Sequence, residues 1–268
     1  MADACHHRTG SVLIKLEADL PELPNQPPAL TAQHALFLDF DGTLVALADH
    51  PDRIIVPALL RQTLAVLEQR LNGALAIVTG RSLESLDHFL APLKMRAAGI
   101  HGAELRHDPL QPPADVATLG DLAARLQARF AGDAQVWIED KRAAVAVHYR
   151  QAPERQDELF AMVNEVVNAG DQSLEIISGK CVFEARHHGV GKDAAVRALM
   201  SSPPFRGRIP VFVGDDRTDE DGIREVQAQG GFGIKVGTGA SQAQWRLATP
   251  VSVLVWLRGQ LIVSGLIA

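Results

Sequence analysis

Cysteine is nearly absent from this chain. Cys5 and Cys181 are the only two in 268 residues. So distant a pair excludes a disulfide framework and a cysteine-based zinc site, and reduced thiols in a cytoplasmic protein are the expectation. A surplus of positive charge is absent too. The formal net charge is −6 with 22% charged residues, which argues against broad nucleic-acid binding or a polybasic membrane surface. It leaves room for a locally basic pocket. No secretory leader is legible, because MADACHHRTG is polar and Ser11 to Leu16 is too short for an apolar leader core. No apolar run spans a bilayer either. The most apolar stretch, Val251 to Ala268, is interrupted by Arg258, Gly259 and Gln260. It is expected to supply a final core helix and a trailing segment, with Leu261 to Ala268 packing on a partner subunit as the lesser alternative and a monomer as the main one. There is no internal repeat.

What is present points to an α/β chain. The 47% hydrophobic content suffices for one sizeable core, or a core plus a small insert. Residues 20–30, LPELPNQPPAL, carry four prolines and read as an arm leading into the first strand. ALFLDFDGTL (35–44) is an apolar run that ends in Asp39, Asp41 and Gly42, the pattern of a buried strand closing in a sharp loop. Leu60, Leu64, Leu67 and Leu71 then fall in helical phase. Ala74 to Val78 reads as a strand before Thr79-Gly80-Arg81, Ser82 to Leu90 as a helix, and Ala97 to Ile100 as a third strand before His101. This alternation predicts a parallel sheet with helices on its faces.

The pattern changes after the proline-bearing break at 108–113. A helix (116–130), two strands (135–139 and 143–149), a helix (154–168) and two more strands (174–177 and 181–185) suit an α+β unit with an antiparallel sheet. From Gly191 the βα alternation resumes, with a helix at 192–200, a strand at 210–213, a helix at 218–228, a strand at 232–236 and a helix near 251–257. The expected organisation is an arm (1–32), a Rossmann-like parallel-sheet core split into 33–107 and 187–268, and an inserted α+β cap (108–186).

Four clusters fall where core strands should end, the place where ligands bind in open α/β sheets. They are Asp39 with Asp41, Thr79-Gly80-Arg81, Lys192, and Asp215-Asp216-Arg217-Thr218-Asp219-Glu220. Two carboxylates one residue apart are costly unless a cation or proton separates them. Carboxylates, a hydroxyl beside backbone amides and an ammonium suit phosphoryl transfer, which depends on positioning and charge stabilisation. Oxygen-only acidic ligands favour Mg²⁺. Asp39 would attack phosphorus, Asp41 would protonate the leaving alcohol and later activate water, and Lys192 would offset the negative charge.

DFDGTL, VTGR, the following lysine and GDDRTDED resemble the four motifs of haloacid dehalogenase-type phosphatases. The resemblance implies Asp39 as the residue that becomes aspartyl-phosphate, Asp41 as acid/base, Thr79 as the hydroxyl on the phosphoryl group and Lys192 as the motif lysine. It also implies Mg²⁺ held by the Asp39 side chain, the Asp41 backbone carbonyl and Asp215, with Asp216 and Asp219 as neighbours or water-mediated ligands, and Gly80 and Arg81 beside the substrate. GIHGAE (99–104), EDKRAAVAVHYR (139–150), GKCVFEARHHGVGKDAAV (179–196), VFVGDDRTDED (211–221) and GTGASQAQWRL (237–247) narrow the match to the trehalose-6-phosphate phosphatase family, over roughly residues 33–257. That family's disaccharide contacts carry over to Glu139, Lys141, Arg150, Lys180 and Glu184, and its substrate would be a small sugar phosphate. His101 divides evenly between substrate contact and a structural hydrogen bond.

On residue chemistry alone, Glu139 to Arg150 reads rather as a charged solvent face, and His187 and His188 as linker histidines without a ligand role. Gly191-Lys192 is not a P-loop, since Arg186 stands where the first glycine belongs and Asp193 follows the lysine. GGFGIKVGTG (230–239) reads as a strand between turns rather than a dinucleotide loop. Three rivals stay open: another sugar phosphate, such as sucrose 6-phosphate or a mannosyl phosphate ester; a non-catalytic sugar-phosphate sensor; and a phosphotransferase.

Overall fold

A computed structural model describes residues 26–48, 50–111, 119–170, 173–179 and 181–262. In chain order the elements are β1 (His34–Leu38), α1 (Ala58–Arg70), β2 (Leu75–Val78), α2 (Leu83–Leu90), β3 (Arg96–Gly99), β4 (Glu104–Arg106), α3 (Gly120–Arg129), β5 (Trp137–Asp140), β6 (Ala144–His148), α4 (Gln156–Asn168), β7 (Leu174–Gly179), β8 (Val182–His187), α5 (Lys192–Met200), β9 (Ile209–Gly214), α6 (Asp219–Ala228), β10 (Phe232–Val236), β11 (Trp245–Leu247) and α7 (Pro250–Ile262).

The larger sheet runs β11-β10-β9-β1-β2-β3-β4 and is parallel except for β4, which pairs antiparallel with β3 at the edge. Its central strands are buried almost throughout, as expected where helices cover both faces. Leu60, Leu64 and Leu67 turn the buried face of α1 to this core, and Ser82 opens α2 by accepting from the Ser85 amide at 3.2 Å. β1 lies between β2 and β9, so the chain order reverses there. Leu38 pairs with Ile77 on one side and Val213 on the other. That register brings the loops after β1, β2 and β9 together at one edge, the switch point where open α/β sheets bind ligands.

The smaller sheet, β5-β6-β8-β7, is antiparallel. Val145, Val147, Phe183 and Ala185 cluster with Leu122, Leu126, Leu159 and Val163 of α3 and α4, apart from the main core. A third small cluster, Ile100, Ala143 and Ala144, joins the loop after β3 to the β5–β6 turn.

Several local readings change. β4 and β11 are strands that the sequence does not announce. Two of the three residues in β4 are charged, and both are buried: Glu104 accepts from the Leu83 amide at 2.6 Å, and Arg106 binds Asp87 at 2.7 and 2.8 Å. The end of the proline arm belongs to the core. Leu30 is buried, its amide donates to Gln260 Oε1 at 2.7 Å, its carbonyl accepts from Arg70 at 3.0 Å, and Trp256 Nε1 reaches the Pro27 carbonyl at 3.3 Å. Gln260, which breaks the apolar tail in sequence, therefore ties α7 to the arm. His187 closes β8 rather than standing in a linker, and its ring meets Ser173 Oγ at 3.0 Å. The start of the 116–130 helix, Cys5, His6, His7, the ligand candidate Lys180 and the tail beyond 262 lie outside the described residues. Among the described residues no helix is long and apolar enough to cross a membrane.

Candidate active site

Asp39 follows β1 directly, and its amide donates to the Val213 carbonyl of β9 at 2.9 Å. The chain then turns sharply: Leu44 N returns to the Phe40 carbonyl at 2.9 Å, and Gly42 N to Val45 at 2.8 Å. Gly42 has φ +83°, and a Cβ there would lie 2.2 Å from the Asp215 carboxylate. Only glycine meets both demands. The close approach lets Thr43 Oγ1 donate to Asp215 Oδ1 at 3.2 Å.

Lys192, the first residue of α5, crosses to this point with 3% of its surface exposed and donates to Asp39 Oδ1 at 2.6 Å and Asp219 Oδ1 at 2.5 Å. Asp219 is fully buried at the start of α6, and its Oδ2 accepts from the amides of Asp215 and Asp216, both at 2.9 Å. One oxygen each of Asp39, Asp215 and Asp219 lies within 4.8 Å of the others. Asp216 is different. It is exposed, and its carboxylate accepts from the Thr218 amide at 2.5 Å.

Three carboxylates facing one ammonium leave surplus negative charge. Burial, then Asp219, pushes the Asp39 carboxyl well above the ordinary aspartate value, and the same two causes raise Asp215 to about 6. Burial alone would lower the Lys192 ammonium, but Asp219 and Asp39 outweigh it and hold the group above the usual lysine value. The cluster therefore demands a proton or a cation. Asp219 commits both oxygens to other donors, while Asp39 Oδ2 and Asp215 Oδ2 carry no hydrogen bond among the described residues. Two free carboxylate oxygens in an oxygen-only, partly buried setting fit a hard divalent cation.

Thr79 is buried at the end of β2, its Oγ1 accepting from the Arg81 amide at 3.1 Å. Arg81 grips Asp41 at both carboxylate oxygens, 2.6 and 2.7 Å away, with its guanidinium over the Phe89 ring at 4.8 Å. Gly80 packs against His101, whose Cε1 would lie 2.7 Å from a Cβ at that position. His101 has a left-handed backbone (φ 54°) and approaches Glu184 of β8 at 3.7 Å. Burial lowers its imidazole to about 4, against an opposing pull from Glu184, and Nδ1 is buried without a hydrogen-bond partner among the described residues.

On the smaller sheet Glu139, Ala146 and Glu184 form one cross-strand row and so share a face. Lys141 donates to Glu184 at 2.9 Å, and His148 Nε2 meets Glu139 at 2.9 Å. That hydrogen bond lowers the Glu139 carboxyl, and Lys141, followed by His101, outweighs burial to lower Glu184. Arg150 does not join this group. It is exposed, in the turn two residues beyond the end of β6. The structure thus gathers Asp39, Asp41, Thr79, Gly80, Arg81, Lys192, Asp215 and Asp219 around the switch point, with His101 leading to Glu184, Lys141 and Glu139. Sequence reasoning missed two groups, Thr43 and Lys235. The second is a buried lysine inside the apolar strand FGIKV, an anomaly that could have flagged it.

The architecture is that of the haloacid dehalogenase-like hydrolases: it superposes on one from B. subtilis with a TM-score of 0.61 at 14% identity, over 84% of this chain and 99% of that one. The family model for trehalose-phosphatase matches residues 37–251. Trehalose-6-phosphate phosphatase of Escherichia coli K12 is 40% identical over 237 residues, 87% of this chain and 88% of that protein. A solved trehalose-6-phosphate phosphatase related protein matches with a TM-score of 0.68 at 25% identity, over 86% of this chain and 98% of that chain. The chain belongs to the trehalose-phosphatase family, and it is a phosphoric monoester hydrolase.

Proposed function

We propose that this chain hydrolyses trehalose 6-phosphate to trehalose and inorganic phosphate through an aspartyl-phosphate on Asp39, with Mg²⁺ as its cation. The observation that carries the reading is the convergence of Asp39, Lys192, Asp215 and Asp219 from three separate stretches of chain into one buried cluster. The Asp39 side chain, the Asp41 backbone carbonyl and Asp215 would hold the ion, with Asp219 bracing the loop. When bound, Mg²⁺ would offset charge on the nucleophile and the phosphoryl oxygens.

An oxygen of Asp39 attacks phosphorus, and the bond to the sugar O6 breaks as Asp41 delivers its proton to that oxygen. Asp41 then takes a proton from water, which attacks phosphorus and releases phosphate and free Asp39. Arg81, which now holds Asp41, has a second bidentate partner in the substrate phosphate. Exchanging one for the other frees Asp41 for its proton transfers. Lys192 favours the ionised form of Asp39 against burial and aligns it, and Thr79 steadies the transferred group.

In this reading residues 108–186 act as a cap over the core (33–107 and 187–268). Glu139, Lys141 and Glu184 meet sugar hydroxyls, and closure keeps bulk water out during attack. The enzyme works as a cytoplasmic monomer. Phosphate release from trehalose 6-phosphate, with Mg²⁺ and with chelator, tests the proposal beside sucrose 6-phosphate and a mannosyl phosphate ester. Mg²⁺-dependent turnover that favours trehalose 6-phosphate is expected. Equal or faster release from another ester would sink the substrate assignment, and full activity in chelator would sink the cation.

A further inference from the structure

Lys235 is the fourth residue of β10, a strand otherwise made of Phe232, Gly233, Ile234 and Val236. It is 5% exposed. An ammonium at such depth is costly unless its donors are used. Here they point at one loop: Nζ donates to the Asp215 carbonyl at 2.5 Å, approaches the Asp216 carbonyl at 3.4 Å, and lies 3.8 Å from Glu220 Oε1. The amides of the same two residues are held by Asp219 Oδ2, each at 2.9 Å. Asp215 and Asp216 are therefore gripped from both sides, N–H groups by a buried carboxylate and C=O groups by a buried ammonium. The Asp215 side chain leaves this clamp toward Asp39, with Thr43 as its own hydrogen-bond donor.

We infer that Lys235 is a positioning residue for the cation: it fixes the backbone that aims Asp215 and thereby sets the site's affinity for Mg²⁺. The inference rests on the proposed function, in which Asp215 is a ligand. Groups that orient metal ligands typically change metal affinity about 10- to 100-fold when removed. A plain packing role would lower stability and leave the Mg²⁺ requirement where it was.

The test is calorimetric titration of Mg²⁺ into the metal-free full chain, run beside phosphate release from trehalose 6-phosphate over a Mg²⁺ series. Lys235→Met is expected to weaken Mg²⁺ binding about tenfold or more and to raise the half-saturating Mg²⁺ in parallel. The KM for sugar phosphate should stay in place, excess Mg²⁺ should restore kcat, and Lys235→Arg should recover part of the loss. A folded Lys235→Met protein with the parent's Mg²⁺ affinity overturns the inference and leaves Asp215 as a ligand. Activity lost at every Mg²⁺ concentration with unchanged Mg²⁺ affinity also overturns it. If the methionine variant does not fold, Lys235→Gln, which keeps a donor but no charge, must show a shift in the same direction, and its absence has the same force. A parent chain that takes up no Mg²⁺ removes the cation from the proposed function itself.

Discussion

The two sheets place their charges in different surroundings. Beside the large sheet three charged groups, one after β1 and two opening α5 and α6, are nearly sealed from water: Asp39 is 4% exposed, Lys192 3% and Asp219 0%. On the small sheet they stand on a strand face, and the Glu139 and His148 side chains keep 35% and 25% exposure while paired with each other. Sealed charges cannot exchange partners with water, so each is held by a fixed set of donors and acceptors. Half-open pairs can trade a protein partner for a sugar hydroxyl at little cost. The first arrangement suits one bond-breaking event, whereas the second suits recognition.

The largest effect should come from the sealed cluster. Asp39→Asn is expected to lower kcat by on the order of 10⁴-fold or more, for trehalose 6-phosphate and for a simple aryl phosphate alike, in a chain that still unfolds cooperatively. Near-parental turnover of either ester would erase the proposed functional division between the sheets. Glu184→Gln sharpens that division. It should raise the KM for trehalose 6-phosphate about tenfold, the equivalent of about 1.4 kcal/mol, while aryl phosphate turnover stays the same. Equal losses on both esters would make Glu184 part of the core chemistry.

His101 stands at the joint. Its imidazole is depressed to about 4 in the folded chain, against 6.5 unperturbed. A depressed value means that the unfolded chain takes up the proton first as pH falls. The resulting stability is complete above pH 6.5 and lost on descent toward 4, amounting to about 3 kcal/mol at most. Denaturant melts of His101→Gln should be flatter than the parent's across that window, and parallel curves would count against it. The smallest effect belongs to Arg150→Ala. With Arg150 exposed beyond β6, steady-state kinetics should show kcat and KM unchanged, and a large rise in KM would restore it to the sugar site.

Much of the large sheet is legible because buried parallel strands appear as unbroken apolar runs closed by glycine, as in ALFLDFDG and VFVGDD. The candidate site is legible with it, since the strand ends themselves present Asp39, Thr79 and Asp215. Polar residues buried by partners distant in sequence hide the rest. β4 looks charged because Arg106 needs Asp87, and Glu104 the Leu83 amide, to be seen as buried. Asp219 looks like one acid among several until α6 turns it onto Lys192. The strand expected over 143–149 is observed as Ala144–His148, with Val145 and Val147 packed inward. Arg150 is grouped with Glu139 only by the family resemblance; the strand expected from sequence and the observed one both stop short of it.

The position of β1 between β2 and β9 matters for how the protein is made. β2 is synthesised soon after β1, but His34 to Leu38 must wait for Ile209 to Val213 before their other edge is paired. The whole small sheet emerges from the ribosome in between, while an apolar strand edge stays open to unrelated chains. A polypeptide cut before Ile209 should consequently scatter light and bind holdase chaperones, whereas one carried through β10 should not.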